Sequence, residues 1–241
     1  MNNPSVTDDL AYVRDLAEAG QQAPLLGGRF LAWWGGIITL AYAGHYAIAS
    51  GMLNVGDIAY AYLWGGFIII GLVGYFTLIK TMSRDKPGQS SAGNKVEANV
   101  WMIAGFTLFA NFGTLIVMGI FGLDSTGGFE SSLPIVFTAY GIALFTSGAM
   151  AENKVLTTAG LGTLVIIALS VWFGGTDFIW AIAALGAFLT VFVPGLLLLK
   201  HEPKSVVRSD ERRGGTSVVG GGVGRGGRGR ERRGGGGGGG G

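Results

Sequence analysis

Between Phe30 and Leu199 the chain alternates long stretches that hold no Asp, Glu, Lys or Arg with short segments that collect all of the charge. The uncharged stretches run from Phe30 to Ser50, Ile58 to Ile79, Ala98 to Phe121, Leu133 to Ala151, Val155 to Gly175 and Phe178 to Leu199. Each exceeds the roughly 18 residues at which an apolar run can cross a hydrocarbon core of about 30 Å. Lipid offers no partners for backbone N–H and C=O groups, so runs of this kind are predicted to be helices. A transmembrane barrel would need alternating apolar and polar positions, and Ile68-Ile69-Ile70 and Leu196-Leu197-Leu198-Leu199 break any alternation. The pattern predicts an all-α membrane protein in which residues 30–199 form a bundle of six transmembrane helices.

The flanks read differently. In residues 1–29, Thr7-Asp8-Asp9 can cap a helix whose Leu10, Val13, Leu16 and Ala17 share one face opposite Asp15 and Glu18, and Pro24 with Gly27-Gly28 ends it. This predicts a short amphipathic helix in the cytoplasm or its membrane interface. Residues 200–241 hold 17 of the 45 glycines and ten of the 17 Lys and Arg, with almost no large apolar side chain. Such a segment buries too little surface to offset chain entropy, so a disordered basic cytoplasmic tail is expected. Its run Gly224-Arg225-Gly226-Gly227-Arg228-Gly229-Arg230 has the composition of flexible RNA-binding segments. No aromatic residue is there to stack on bases, however, so anionic lipid headgroups are the favoured partner over nucleic acid.

Composition supports the membrane reading, with 49% hydrophobic and 13% charged residues. Charge then sets the orientation, because Lys and Arg resist translocation. With both termini in the cytoplasm, all 17 Lys and Arg fall on the cytoplasmic side, whereas the exported loops hold Asp57, Asp124, Glu130 and Asp177 and no cation. Tryptophan prefers the headgroup level. Trp33, Trp34 and Trp101 lie near the cytoplasmic ends of their spans, and Trp64, Trp172 and Trp180 near exported ends. Without a large exported domain, a bacterial inner membrane is the expected location.

Candidate chemistry is sparse, because the span interiors contain no formal charge. The polar intramembrane candidates are Tyr42, His45 and Tyr46 on the first span and Asn111 and Thr114 on the third. They suit either a small-ligand site or plain interhelical hydrogen bonds. Small residues at four-residue spacing let helices approach closely, so Ala139, Ala143, Ser147 and Ala151 on the fourth span, with Ala183 and Ala187 on the sixth, are candidate packing faces. Trp34-Gly35-Gly36-Ile37-Ile38 and Trp64-Gly65-Gly66-Phe67-Ile68 form a faint echo, an inverted pair if it is a true repeat.

Several classes lack their residues. There are no cysteines, hence no disulfide or thiolate site, and no span carries the lysine a retinal Schiff base needs. His45 and His201 are expected on opposite sides of the membrane, which removes a haem held by two histidines. No catalytic residue, metal or cofactor is therefore expected. The first expectation for function is a non-catalytic accessory or scaffold subunit that associates with other membrane-protein subunits through small-residue helix faces. The alternatives are a channel or transporter for a neutral or amphiphilic solute, lined by Tyr42, His45, Asn111 and Thr114, and a membrane sensor that signals through its tail.

Overall fold

A computed structural model describes residues 25–81, 91–123 and 128–201, together with Leu10, Val13 and Arg14. The chain divides into two units, Met1–Ser205 and Val206–Gly241, and every described residue belongs to the first. Leu10, Val13 and Arg14 are helical and exposed; the rest of the expected amphipathic helix and the expected tail from residue 202 onward lie outside the described residues.

All regular elements among the described residues are helical. They are α1 (Gly28–Ala49), α2 (Ile58–Thr81), α3 (Ala92–Ile120), a 3-10 turn (Gly128–Ser132), α4 (Leu133–Met150), α5 (Lys154–Trp172), α6 (Phe178–Ala187), a π turn (Phe188–Phe192) and α7 (Val193–His201). Five stretches are long and apolar enough to cross a membrane: Ile58–Thr81, Gly93–Ile120, Gly128–Met150, Lys154–Trp172 and Phe178–Lys200. The chain has the build of a multi-pass membrane protein. At 22 residues α1 is long enough to span about 33 Å, but its Trp33, Trp34, Tyr42, His45 and Tyr46 make it less apolar than these five.

Local chemistry sets the helix ends. α3 begins six positions before its apolar run, because the Ser91 hydroxyl caps it by accepting from the Asn94 backbone N–H at 3.3 Å. Asn153 caps α5 by accepting from the N–H groups of Val155 (3.0 Å) and Leu156 (3.2 Å). The last span is one helix interrupted by the π turn. Pro194 lacks an N–H and so leaves the Thr190 carbonyl without its helical donor, and the wider turn Phe188–Phe192 takes up the mismatch.

α1 packs against α2 on one side and against α6, the π turn and α7 on another, while α5 joins α6 and the π turn to a tight α4–α5 hairpin. The outermost helices are α2, which lies on α1, and α3, which lies on α4. Two buried clusters fill the interior. One, toward the Ala49 end of α1, contains Tyr42, Leu133, Phe137, Ile166, Trp180 and Ala183; the other, toward the Gly28 end, contains Leu25, Leu31, Leu144, Leu156, Val191 and Leu198.

Glycines permit the closest approaches. A methyl group at Gly160 on α5 would stand 2.6 Å from the Phe145 nitrogen on α4, and one at Gly35 on α1 would stand 2.6 Å from the Phe192 nitrogen in the π turn. Both meet backbone, which cannot rotate away. Gly71 and Gly74 on α2 instead receive the rings of Trp34 and Trp33, and the Trp33 indole N–H donates to the Gly71 carbonyl at 3.3 Å. The two Trp-Gly-Gly echoes therefore have unlike surroundings: Gly35 is pressed on the π turn, whereas a Cβ at Gly65 or Gly66 would meet no other part of the structure within 4 Å.

Gly35→Ala and Gly160→Ala are each expected to destabilise the protein by about 1–3 kcal/mol. Gly66→Ala, into open space on a helix, is expected to be neutral or to stabilise by up to about 1 kcal/mol. Unfolding of the three variants in mixed micelles, followed by circular dichroism, checks the contrast.

Candidate functional site

At the Ala49 end of α1, three helices bring aromatic rings together around one imidazole. His45 stacks on Trp180 of α6 with ring centres 3.6 Å apart and planes 19° from parallel. Tyr60 of α2 stands 4.6 Å away on centroids. The Trp64 indole N–H, also on α2, donates to His45 Nδ1 at 3.1 Å. A nitrogen that accepts this bond carries no proton, so the ring is the neutral tautomer with its hydrogen on Nε2.

The cluster extends from this centre. Tyr42, one turn below His45, is fully buried and touches Trp64 edge-on at 5.7 Å and Trp180 at 6.0 Å. Trp64 continues to Phe67 at 5.6 Å, and Tyr46 meets Phe178 edge-on at 6.2 Å. Edge-on and offset ring pairs of this kind each contribute about 0.5–1.5 kcal/mol beyond the area they bury. Chemically the site offers aromatic faces and one neutral imidazole. Among the described residues no three His, Cys, Asp or Glu side chains gather as a metal ion would require.

The other polar candidates lie elsewhere. The Asn111 amide on α3 donates to the Ser132 hydroxyl, the residue before α4, at 2.7 Å. Thr114 is exposed and donates back to the Ala110 carbonyl of its own helix at 2.8 Å. Tyr42, His45 and Tyr46 thus share one aromatic cluster, while Asn111 belongs to the contact of α3 with the start of α4 and Thr114 stands exposed on α3.

The small-residue positions fall on different surfaces. Ala143 and Ser147 are buried on α4, whereas Ala139 is partly buried beside α3, and Ala151 packs at the edge of the cluster toward the Gly28 end. Successive steps of four residues turn about 40° around a helix, so a row of this length drifts off any single seam. Ala183 and Ala187 on α6 are fully buried, within the cluster that also holds Ile38 and Ala41 of α1.

Glu97 was not among the candidates, because it lies just outside the uncharged run. Its residue is only 5% exposed, and its carboxylate lies against Gly27, at the entrance to α1, where a Cβ would collide with it. Oε1 has no hydrogen-bond partner, and neither do the buried Trp101 indole nitrogen and the Ser147 hydroxyl. One turn earlier, Asn94 Oδ1 accepts from the Leu26 N–H at 2.9 Å, so α3 holds the segment leading into α1 at two adjacent points. The sequence signal for this contact was Gly27-Gly28 ahead of one apolar run and Glu97 ahead of another. Comparison of the chain with protein-family models, with curated proteins and with solved structures returned no match.

His45→Ala removes both the stack on Trp180 and the acceptor for Trp64, with an expected cost of about 1–2 kcal/mol. His45→Phe keeps a ring on Trp180 and loses only the hydrogen bond, which in membranes averages about 0.6 kcal/mol. Unfolding in mixed micelles should therefore rank the alanine variant below the phenylalanine variant. Equal losses would mean that the hydrogen bond, not the stack, holds the cluster.

Proposed function

We propose that the chain is a non-catalytic accessory or scaffold subunit of a bacterial inner membrane, crossing it six times with both ends in the cytoplasm and binding other membrane proteins along α2 and α3. The sparse burial of these two helices carries the reading. Their apolar windows are 6% buried, against 44%, 28% and 50% for the other three long stretches.

Two further features support it. Gly65 and Gly66 on α2 and Gly105, Gly113 and Gly119 on α3 have open space where a Cβ would stand. A glycine inside a helix costs about 1 kcal/mol relative to alanine, and in a membrane that cost is commonly offset where a second helix comes close. The Asn111–Ser132 bond also makes Asn111 level with the start of α4, so α3 continues from Phe112 to Ile120 for about 13 Å beyond it. Among the described residues the turn Gly128–Ser132 accompanies this extension, through Phe129 on Phe112 at 6.3 Å, and Ile116, Val117 and Ile120 are exposed. The transport reading draws less support, because the polar groups that would line its route fall in two separate places.

A photo-crosslinking residue at Ile69 on α2 or Phe109 on α3, which are 65% and 78% exposed, is expected to give discrete adducts with other proteins in cells. Adducts with lipid alone at both positions would sink the subunit reading. The chain has no native cysteine, which makes its topology easy to probe. Asp57→Cys should react with an impermeant maleimide in intact cells and Lys86→Cys only after permeabilisation; the reverse pattern would overturn the orientation.

A further inference from the structure

Between α3 and α4 lies a cavity of about 550 Å³, open at the outer surface of the helices and lined by Asn99, Val100, Ile103 and Thr107 on one side and Thr138, Ala139 and Ile142 among those on the other. We propose that this groove is a binding site for an acyl chain of an anionic phospholipid, with Lys95 holding the headgroup at its mouth.

Size restricts the occupant first. From Asn99 to Thr107 the groove runs about 12 Å, within the half-thickness of a hydrocarbon core of about 30 Å, so it belongs to one leaflet. A flexible acyl chain can enter a groove of this length and volume from the side, because it is open at the outer surface. The walls agree, since both threonine hydroxyls are already used within their own helices: Thr107 donates to the Ile103 carbonyl at 3.0 Å and Thr138 to the Pro134 carbonyl at 2.7 Å. Nothing polar in the depth of the groove asks for a partner, and hydrocarbon satisfies it.

Charge then selects the headgroup. Asn99, Ile103 and Thr107 line the groove at four-residue steps of α3, and Lys95, exposed, lies one turn before Asn99 and about 40° around the helix from it. Glu97, two positions on and therefore on the opposite side of the helix, is turned inward against Gly27. The groove thus meets the headgroup layer with a cation and an amide, while the nearby carboxylate is directed away. An exposed lysine at that level favours an anionic lipid by an amount equivalent to about fivefold in affinity.

The full chain, reconstituted in phosphatidylcholine vesicles with a minor fraction of phosphatidylglycerol and then extracted in mild detergent, provides the test, with retained lipid counted by mass spectrometry of the intact protein. The wild type is expected to retain phosphatidylglycerol in preference to phosphatidylcholine. Ile142→Trp, at a position 60% exposed and so able to accept a larger ring, should fill the groove and abolish that retention; Ala139→Trp should do the same wherever melting shows it folded. Lys95→Gln should lower the preference about fivefold without abolishing chain retention. Ile69→Trp, on the far helix α2, should change neither. The basic residues after Leu199 are common to all variants and so drop out of the comparison. Retention unchanged in folded Ile142→Trp, equal retention of the two lipids by wild type, or a protein adduct rather than a lipid adduct from a photo-crosslinker at Ile142 would each overturn the proposal.

Discussion

In hydrocarbon a helix gains nothing by hiding leucine from its surroundings, so the cohesion of this fold depends on how near two backbones can come. Dispersion falls away within a fraction of an ångström, and a gap that small forfeits a large share of the attraction. That is why the tightest seams run over glycines. Gly160 lets α5 press on the backbone of α4 at Phe145, and Gly35 lets α1 press on the π turn at Phe192. The π turn ends just before Pro194, which has no N–H to continue the helical ladder, and it is where α1 leans on the last span.

Polar groups obey the same medium. With no water to satisfy them, hydroxyls within the apolar stretches turn back to carbonyls of their own helices, as Thr163, Ser170 and Thr190 do at 2.7–2.8 Å. Among the described residues, bonds between elements include Trp64 to His45, Trp33 to the Gly71 carbonyl, Asn111 to Ser132, and Leu26 to Asn94. The exceptions gather around α3 and α4. Glu97 Oε1, the Trp101 indole nitrogen and the Ser147 hydroxyl are buried without partners, two of them on successive turns of α3.

The result is an uneven molecule. α1, α4, α5 and the last span share a packed interior in which Phe137, Ala143, Leu144 and Ala183 are fully buried. Among the described residues α2 rests mainly on α1 and α3 mainly on α4, and both leave much of their apolar surface open. An outer face of this extent suits association, and it separates into two kinds of surface. The exposed ridges of α2 and α3 carry glycines open to an approaching backbone, whereas the cleft between α3 and α4 is a groove with mostly apolar walls.

From the sequence alone, the absence of charge over long runs determined the solvent and the helices, because only uncharged helices of that length survive in lipid. What only the tertiary structure decided is which side of each helix faces inward. Lipid is as apolar as a leucine side chain, so a buried face and a lipid face carry the same composition, and no periodicity separates Phe137, fully buried, from Phe109, 78% exposed. For that reason the row Ala139, Ala143, Ser147 and Ala151 did not announce that it would divide among different surfaces. His45 could be read as polar but not as the centre of rings from three helices, because Trp64 and Trp180 reach it only once α2 and α6 have packed on α1.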